Sequence, residues 1–399
     1  MENDTKRIRT RLQRGFRRNS PAAEHVVGVK NGLIVEIDVG KGIQAIENQV
    51  DVIVRQSGGE FDAVFVPVGG GGLIAGVAAF IKPLYPRAKI IGVQPEDAAA
   101  MYESVRAGKR VTLDRVGLFA DGVAVRKVGE ETFALVRRYV DEILLVNNDE
   151  ICAAIQDIFE DTRSISEPAG ALAVAGLKRY VARAGAHEQR LIAINSGANM
   201  NFDRLRHVAE RAELGAEREA LLAVEIPERP GSFLQFCDAL GQRSITEFNY
   251  RSQGGAVARI FVGFGLSGGQ HEREAVIAQL RAAGYPVTDM SGNEMAKLHV
   301  RYMIGGHART GSEGVNELLY RFEFPERPGA LLRFLQSIGS AWNISLFHYR
   351  NHGSDYGRVL AGIEVPKAER ENFLLHLNDL HYPYTDETAN AAYRMFLAV

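Results

Sequence analysis

Four consecutive glycines, Gly69 to Gly72, are the residues of this 399-residue chain best suited to chemistry. The valine-rich apolar run Phe61–Val68 precedes them, and the apolar helical stretch Leu73–Leu84 follows. Backbone N–H groups without side chains can approach an anion closely, and a helix N terminus favours its negative charge. A tight turn is the structural alternative, but four glycines make a costly turn because each loses much conformational entropy on folding. The pattern therefore predicts a phosphate-binding loop.

Neither of two common nucleotide-binding motifs accompanies this loop. The spaced glycines of the dinucleotide fingerprint are absent, and no Gly-Lys-Ser or Gly-Lys-Thr follows. A second candidate group is Ser196, which stands directly after the buried-strand pattern Leu191–Ile194 and before Gly197. Its hydroxyl could hydrogen-bond a heterocyclic nitrogen, although a loop serine or a helix-capping serine fits the same position.

Strand-like and helix-like stretches alternate from about Val39 to Glu213, and these elements must position both loops. Such alternation predicts a doubly wound α/β domain, in which helices cover both faces of a parallel sheet. Ligands in these folds bind beyond the carboxyl ends of the strands, where both loops fall. The other predicted elements are a strand Lys89–Val93, a helix from about Asp97, a strand Ile143–Val146, a helix from an N-cap at Asp149 to Asp161, and an alanine-rich helix opened by Glu167-Pro168-Ala169.

The C-terminal part of the chain is a duplication. The block Glu225–Leu234 recurs 98 residues later as Glu323–Leu332, and the block Ile245–Arg251 recurs as Ile344–Arg350. Two matching blocks at such a long period indicate a repeated subdomain. Each copy shows the order strand, Pro-Gly turn, helix, strand, strand, helix, strand, which predicts a ferredoxin-like α+β module.

Composition indicates an ordinary globular protein. The chain is 46% hydrophobic with a net charge of −2, so its overall charge does not point to nucleic acid. Cys152 and Cys237 lie far apart among apolar neighbours, which predicts buried thiols in a reducing, cytoplasmic compartment. No apolar run is long enough to cross a bilayer, and no secretory signal is expected. The basic opening, Lys6 to Arg18, is expected to be a solvated tail or a start that is not the natural one, rather than a nucleic-acid arm or a targeting helix.

Together these motifs resemble the pyridoxal-phosphate enzymes of the tryptophan-synthase-β type, and among them the biosynthetic, allosteric threonine deaminases (threonine ammonia-lyases). In the catalytic half the resemblance rests on PVGGGGLIAGVA from Pro67, RVGLFADGVAV from Arg115, EPAGALA from Glu167 and SGANMNFDRLR from Ser196. In the regulatory half it rests on the duplicated PERPG, on EMAKLHVRYM from Glu294 and on NISLFHYRNHGSDYGRV from Asn343. The resemblance runs from about Gly40 to the last residue. It implies a partial fold-type II domain followed by tandem ferredoxin-like subdomains of the ACT type.

The resemblance also implies roles for particular residues. The phosphate of pyridoxal 5'-phosphate would be held by Gly69, Gly70, Gly71, Gly72 and Leu73. Gly122, in the loop Ala120–Val123, would lie close to the cofactor, and Ser196 would face its pyridine nitrogen. A hydroxyl there leaves that nitrogen largely unprotonated, which favours prompt loss of a β-leaving group. The implied reaction converts threonine to 2-oxobutanoate and ammonia at the head of isoleucine synthesis.

The Pro-Gly turns of the two copies are implied to bind a branched-chain amino-acid effector, isoleucine or valine. Such a turn exposes N–H groups at a helix N terminus, and those donors suit an α-carboxylate. The structural alternative is that Pro-Gly merely turns the chain. The donors would be Gly231, Ser232 and Phe233 in the first copy, and Gly329, Ala330 and Leu331 in the second.

One part of the family pattern is missing from these 399 residues. The family carries its Schiff-base lysine in a Ser-x-Lys-x-Arg-Gly-Ala motif, followed by a Ser-Ala-Gly-Asn-His loop for the substrate carboxylate, and neither occurs here. Lys6, Lys30 and Lys41 lack that context, although Gly40–Ile43 resembles the family's GQGT segment. Because this lysine is both covalent anchor and base, we expect the chain alone to be a poor enzyme or none, with no catalytic residue of its own. The alternative is a non-catalytic amino-acid sensor, or a partner subunit of an intact enzyme.

We therefore predict four parts in the chain and a homo-oligomeric assembly. The parts are a basic, atypical segment at 1–38, the remnant of a catalytic domain at 39–215, and regulatory subdomains at 216–310 and 311–399. The polar helical stretch Phe202–Glu219 is predicted to connect the two halves.

A metal site is not expected. His348 and His352 fall on a predicted strand and its turn, where a spacing of four does not bring two ligands together. Gln94 and Ala100 stand where some relatives hold a divalent cation with acidic side chains, although Glu96 is nearby. Aromatic residues of the second copy are predicted to be core rather than a stacking surface, namely Phe347, Tyr349, Tyr382 and Tyr384.

Overall fold

A computed structural model describes residues 33–36, 54, 61–185, 188–251, 255–302, 315–325, 329–338, 341–350, 356–391, 393 and 397 of the chain. The predictions for the basic opening segment, for Lys6, Lys30 and Lys41, and for His352 lie outside these residues. The chain divides into two compact units, Met1–Ala216 and Glu217–Val399.

The first unit contains the predicted parallel sheet. Its strands are β1 (Leu33–Glu36), β2 (Ala63–Pro67), β3 (Lys89–Pro95), β4 (Glu142–Val146) and β5 (Leu191–Asn195). They lie in the order β1-β5-β2-β3-β4, and every neighbouring pair is parallel. The helices are α1 (Gly72–Leu84), α2 (Ala100–Ala107), α3 (Glu130–Tyr139), α4 (Asn148–Thr162), α5 (Pro168–Ala184) and α6 (Phe202–Gly215).

Strand β2 shows why the sheet is covered on both faces. All five of its residues are buried, and successive side chains of a strand point to opposite faces. Phe65 belongs to one apolar cluster and contacts Tyr180 of α5 with an edge-on ring. Val64 and Val66 belong to a second cluster, with Ile74 of α1. The carboxyl end of β2 is thereby held between two helical layers, at the point where the glycines begin.

Three sequence predictions for this unit were wrong in detail. The N-cap of α4 is Asn147 rather than Asp149, because Asn147 accepts from the Glu150 N–H while the Glu150 carboxylate accepts from the Asn147 N–H. A 3₁₀ turn, Glu96–Ala98, separates β3 from α2, so the helix does not begin at Asp97. The connecting helix ends at Gly215, and Glu219 already starts the next strand. Strand β1 was not predicted, since its four residues pair only with β5.

The second unit consists of the two predicted ferredoxin-like copies. The first copy contains β6 (Glu219–Pro227), α7 (Ser232–Leu240), β7 (Ile245–Arg251), β8 (Val257–Gly265), α8 (Gly269–Ala282) and β9 (Val287–Asp289), followed by the short helix α9 (Glu294–Leu298). The second contains β10 (Val315–Pro325), α10 (Ala330–Ile338), β11 (Asn343–Arg350), β12 (Tyr356–Pro366), α11 (Arg370–Asp379) and β13 (Tyr384–Asp386). Each copy thus has the predicted order of elements.

The two copies share one antiparallel sheet, ordered β13-β10-β12-β11-β7-β8-β6-β9. The equivalent strands β7 and β11 join the copies, with Phe347 opposite Tyr250. Phe347 and Tyr349 are buried, and Tyr382 and Tyr384 pack against the same apolar cluster, so the predicted core role of these four aromatics is confirmed.

Both cysteines are buried thiols, as predicted, and they form no disulfide with each other. Burial raises the pKa of the Cys237 thiol to about 12. In the described part of the chain, no helix combines the length and the apolar character needed to cross a membrane.

Candidate functional site

The glycine loop lies between the end of β2 and the start of α1. Helix α1 begins at Gly72, and its N-cap Gly71 is left-handed, with φ of 94°, and offers no side-chain cap. The Gly70 carbonyl accepts from Thr132 Oγ1 at 2.7 Å and from the Gly129 N–H at 3.4 Å. Because the peptide is planar and trans, the Gly71 N–H must point away from Thr132.

The N–H groups of this loop have no partner within the described part of the chain. None of the five from Gly69 to Leu73 donates a hydrogen bond to another described residue. Free N–H groups at the first turn of a helix are normally satisfied by a side chain, by water or by a ligand. Five adjacent N–H groups without a described partner, at and just before a helix N terminus, could hold a multiply charged anion.

The space around the loop fits such an anion. A Cβ atom built on Gly70 or Gly72 would meet no atom within 4 Å. A Cβ on Gly69 would lie 3.1 Å from the Val123 Cα, and a Cβ on Gly71 would lie 2.4 Å from the Met101 Cε. Two glycines therefore allow close packing of the loop on its neighbours, and the other two leave open space. A phosphate group fits this arrangement.

Ser196 lies close to this loop because β5 and β2 are neighbours in the sheet. The strands are parallel, with Phe65 opposite Ala193, so their carboxyl ends reach the same edge. Ser196 is half-buried, and its hydroxyl makes no hydrogen bond to another described residue. The hydroxyl is consequently available to a bound group at that edge.

The loop that carries Gly122 reaches the same edge. A Cβ on Gly122 would lie 2.9 Å from the Ala169 Cβ and 3.8 Å from Glu167 Oε1. Asp121 forms an ion pair with Arg204 at 3.2 Å. The structure thus brings together the sequence-predicted residues Gly69–Leu73, Gly122 and Ser196 around one end of the sheet.

Sequence reasoning treated Glu167 only as the start of α5 and missed its place in this site. The pKa of Glu167 is raised overall, mainly because burial disfavours its charged form and also because Asp121 carries a like charge. The N–H of Asn199 and the charge of Arg204 act in the opposite direction. A Cβ on Gly197 would lie 2.1 Å from Glu167 Oε1. The available signal was a carboxylate directly before a helix that begins with proline.

Residues proposed for effector binding line a small cavity in the second unit. Gly231 is left-handed, with φ of 83°, and α7 follows it without a side-chain cap. The Ser232 hydroxyl is buried and has no hydrogen-bond partner among the described residues. The cavity is about 10 Å³, room for about one water. It is lined by Arg229, Gly231, Phe233 and Leu234 of the first copy and by Leu335, Trp342, Asn343 and Ile344 of the second.

The matching turn of the second copy differs. Gly329 is also left-handed, with φ of 74°, but Ala330 replaces the serine. A Cβ on Gly329 would lie 3.7 Å from Arg333 Nη1 and 3.8 Å from the Gln242 Cγ, and Leu331 is buried. The two copies therefore offer different groups at equivalent turns.

The residues considered for metals have other places in the fold. The Gln94 side chain is buried, donates to the Val68 carbonyl at 3.1 Å and accepts from the Tyr102 N–H at 2.8 Å. Ala100 begins α2, and His348 lies within β11. Among the described residues, no three His, Cys, Asp or Glu side chains form a metal-binding group.

The parallel sheet, its glycine loop and the adjacent serine, followed by tandem ferredoxin-like modules, define a pyridoxal-phosphate-dependent enzyme of fold type II with a regulatory tail. Residues 32–197 match the family model described as "Pyridoxal-phosphate dependent enzyme". Residues 210–300 and 308–397 match the model described as "C-terminal regulatory domain of Threonine dehydratase".

Individual relatives agree with both models. The chain is 53% identical over 359 residues to the L-threonine dehydratase biosynthetic IlvA of Burkholderia multivorans, covering 90% of this chain and 69% of that protein. It is 55% identical to the Escherichia coli protein of the same name, covering 90% and 68%, and 48% identical to the mitochondrial threonine dehydratase of Saccharomyces cerevisiae, covering 90% and 63%. The chain belongs to the biosynthetic threonine dehydratase family, whose cofactor is pyridoxal phosphate.

Among solved structures, the processed form of threonine deaminase isoform 2 from Solanum lycopersicum is 48% identical. That match covers 43% of this chain and 49% of the tomato chain, with a TM-score of 0.42.

Proposed function

We propose that this chain serves the conversion of L-threonine to 2-oxobutanoate and ammonia in isoleucine biosynthesis. The observation that carries the proposal is the row of five N–H groups from Gly69 to Leu73, near the Ser196 hydroxyl, none of which has a hydrogen-bond partner among the residues that the structure describes. Bound pyridoxal phosphate would supply an electron sink for bonds broken at the substrate's α-carbon. Gly69 to Leu73 would bind its phosphate and Ser196 would orient its ring, while Gly122 would limit the space beside it.

The cofactor proposal can be tested on one glycine. Gly70→Val adds a side chain to open space beside the loop, so it should obstruct a phosphate without disturbing neighbouring atoms. We expect the dissociation constant for pyridoxal phosphate, measured by equilibrium dialysis, to rise at least about tenfold, or 1.4 kcal/mol. Gly292→Val is the matched control, because its Cβ also meets nothing within 4 Å and it lies in the other unit. Equal affinity of wild type and Gly70→Val for pyridoxal phosphate would refute phosphate binding by the glycine loop.

We further propose that these 399 residues alone bind the cofactor non-covalently and turn over threonine negligibly. The reason is that they contain no Ser-x-Lys-x-Arg-Gly-Ala motif. Borohydride reduction followed by peptide mass spectrometry should label no lysine stoichiometrically. A 2-oxobutanoate assay with added pyridoxal phosphate should give no turnover in the usual range of roughly 1–1000 per second. Either a single reduced lysine or such turnover would contradict this part of the proposal.

A second candidate function is amino-acid sensing by the tail, favoured by the buried, unpartnered hydroxyl of Ser232 at a helix N terminus. The predicted set of donors is reduced by one, because the Ser232 N–H already donates to the Arg229 carbonyl at 3.2 Å. An α-carboxylate would be attracted by the Phe233 N–H at the start of α7, by that hydroxyl and by the Arg229 guanidinium. The apolar side chain of isoleucine or valine would contact Phe233 and Ile344, which line the same cavity. Because the cavity holds only about one water, an effector must displace lining side chains when it binds.

Trp342 makes this second function measurable. It is the only tryptophan of the chain and it lines the cavity, with its indole N–H donating to Glu369 at 2.9 Å. Titration of the whole chain with isoleucine or valine should change the tryptophan emission and release heat, whereas threonine should do neither. Gly231→Val and Ser232→Ala should abolish or weaken the response, and Gly329→Val should spare it if the first copy is the binding copy. No change with any of the three amino acids would leave the two copies as structural modules.

The two candidate functions are separable. A chain that binds effector but not pyridoxal phosphate is a sensor or a partner subunit, and a chain that binds both retains the enzyme's cofactor site. We also infer a homo-oligomer in the cytoplasm from the family, which light scattering of the purified chain and fractionation of cells would check.

A further inference from the structure

Two buried polar side chains, those of Ser166 and Asn195, lie beside Ser196 in the described structure. Ser166 is 1% exposed and Asn195 is 4% exposed. The Ser166 hydroxyl lies 2.8 Å from Asn195 Oδ1 and 3.0 Å from the Gly197 carbonyl oxygen. Asn195 and Gly197 are the two chain neighbours of Ser196, so one hydroxyl holds both flanks of the residue.

The side chain of Asn195, the Ser166 hydroxyl and the Gly197 carbonyl can form a chain of hydrogen bonds in which each donor has an acceptor. A serine hydroxyl has one proton, and here three oxygen atoms lie within hydrogen-bond distance of it, because the Glu167 carbonyl oxygen is also 3.3 Å away. If the Asn195 amide is turned by 180°, its N–H donates to Ser166, and Ser166 then donates to the Gly197 carbonyl. The Glu167 N–H donates to the same carbonyl at 3.1 Å. The Ser166 hydroxyl, the Asn195 N–H and the Gly197 carbonyl are then each hydrogen-bonded, as buried polar groups normally are.

Gly170 closes the space around this chain of bonds. A Cβ on Gly170 would lie 2.3 Å from the Gly197 oxygen, 2.6 Å from Ser166 Oγ and 2.7 Å from Asn195 Oδ1. The first turn of α5 therefore presses its backbone against the three groups and leaves no room for a replacement side chain. The Ser196 hydroxyl, by contrast, makes no hydrogen bond within the described part of the chain and lies half-buried at the sheet edge.

We propose that Ser166 and Asn195 are positioning residues, which hold the loop after β5 so that the Ser196 hydroxyl faces the ring nitrogen of the bound cofactor. The proposal rests on the cofactor site proposed above. We call the hydrogen bonds of Ser166 to Asn195 and to the Gly197 carbonyl the clamp. Without the clamp, the peptide groups on either side of Ser196 lose their fixed direction, and the Ser196 hydroxyl is no longer held at one point.

Coupling between Ser166 and Ser196 tests the proposal. Ser196→Ala should weaken pyridoxal-phosphate binding about 2- to 13-fold, the range of one hydrogen bond. Ser166→Ala and Asn195→Ala should weaken it similarly, and the double variant Ser166→Ala with Ser196→Ala should bind no worse than Ser196→Ala alone. The pH at which the bound cofactor's absorption changes should shift equally in all of them, since each removes the same contact to the ring.

Ser104→Ala is the matched control. Ser104 is likewise buried, donates to the Ala100 carbonyl at 2.6 Å and accepts from the Val111 N–H at 2.9 Å, away from the site. It should lower the unfolding midpoint without changing cofactor affinity or spectrum. Amide exchange at Gly197 and Ala198 without any cofactor should be faster in Ser166→Ala and unchanged in Ser104→Ala.

The outcomes separate the two levels of inference. Suppose that the wild-type chain binds pyridoxal phosphate, that Ser196→Ala binds it more weakly, and that Ser166→Ala binds it as well as wild type. This result would overturn the positioning role and leave the cofactor site standing. Additive losses from Ser166→Ala and Ser196→Ala would also overturn it, because they would mark Ser166 as merely structural. A wild-type chain that binds no pyridoxal phosphate, or binds it equally after Gly70→Val, would refute the cofactor site and the positioning role with it.

Discussion

Loss of the Arg301 side chain should destabilise the second unit strongly. Its side chain is 5% exposed, and Nη2 lies 2.8 Å from Glu247 Oε1 and 3.4 Å from Glu219 Oε1. The two glutamate side chains are 0% and 5% exposed, so one guanidinium offsets two buried carboxylates. The Arg301 carbonyl also accepts from Asn249 Nδ2 at 3.1 Å, which ties the residue to β7.

The substitution Arg301→Met removes the charge and keeps most of the volume. Breaking a buried ion pair from one side costs about 3–5 kcal/mol, because the remaining charge stays desolvated. We expect a loss in that range, in the upper half because two carboxylates are affected. The second substitution Glu247→Gln in the Arg301→Met chain should recover at least about 1 kcal/mol, since it removes one of the two buried carboxylate charges that faced Arg301.

Urea unfolding of the whole chain, followed by the emission of Trp342, measures this effect. Trp342 is the only tryptophan and lies in the second unit, so its signal reports that unit. The denaturant dependence should stay constant while the midpoint falls. Arg259→Met is the control: its exposed pair with Glu225, at 3.0 Å with side chains 70% and 41% exposed, should contribute less than about 1 kcal/mol. A loss below 1 kcal/mol for Arg301→Met would refute the reasoning.

Three further predictions follow from local geometry. Gly71→Ala should destabilise the first unit by at least about 1–2 kcal/mol, because φ at Gly71 is 94° and the added Cβ would lie 2.4 Å from the Met101 Cε. Urea titration followed by circular dichroism would measure this loss, and Gly70→Ala is the control that should unfold like wild type. Burial raises the pKa of the Cys237 thiol to about 12, so Cys237 should resist a thiol reagent at pH 8 until urea unfolds the chain. Rapid labelling of Cys237 in the folded protein would contradict this. The N–H groups of Gly268 and Ser267 lower the pKa of Glu272 below its ordinary 4.5. This carboxylate therefore contributes stability above that value and loses it as the pH falls through the lower folded pKa, so Glu272→Ala should lower the urea midpoint at pH 7 and much less at pH 3.

Local pattern was sufficient for the framework of this protein. The alternation of strand and helix predicted the parallel sheet, because apolar runs bounded by turn residues leave few other ways to bury themselves. The repeated Glu-Arg-Pro-Gly blocks predicted two copies of one module, since each block carries the same turn. The position of the glycine loop between β2 and α1 was predictable because strand, glycines and helix are consecutive in the chain. Anion binding by this loop stays a prediction.

Sequence reasoning was less accurate where a neighbour decides between adjacent residues. Asp149 and Asn147 are both good N-caps, and only the reciprocal bonds with Glu150 select Asn147. Strand β1 is too short for its own pattern to predict it, and its existence depends on pairing with β5, more than 150 residues away.

The composition of the sites was decided by tertiary structure. Sequence alone placed Ser196 after a strand, but only the pairing of β5 with β2 brings it to the glycine loop. The clamp of Ser166 and Asn195, the placement of Arg301 between two carboxylates, and the approach of Trp342 to Gly231 join residues from 29 to more than 100 positions apart. Hydrogen bonds and desolvated charges act over a few ångströms of space, whatever the separation along the chain, and it is the packing of the sheets that sets those distances.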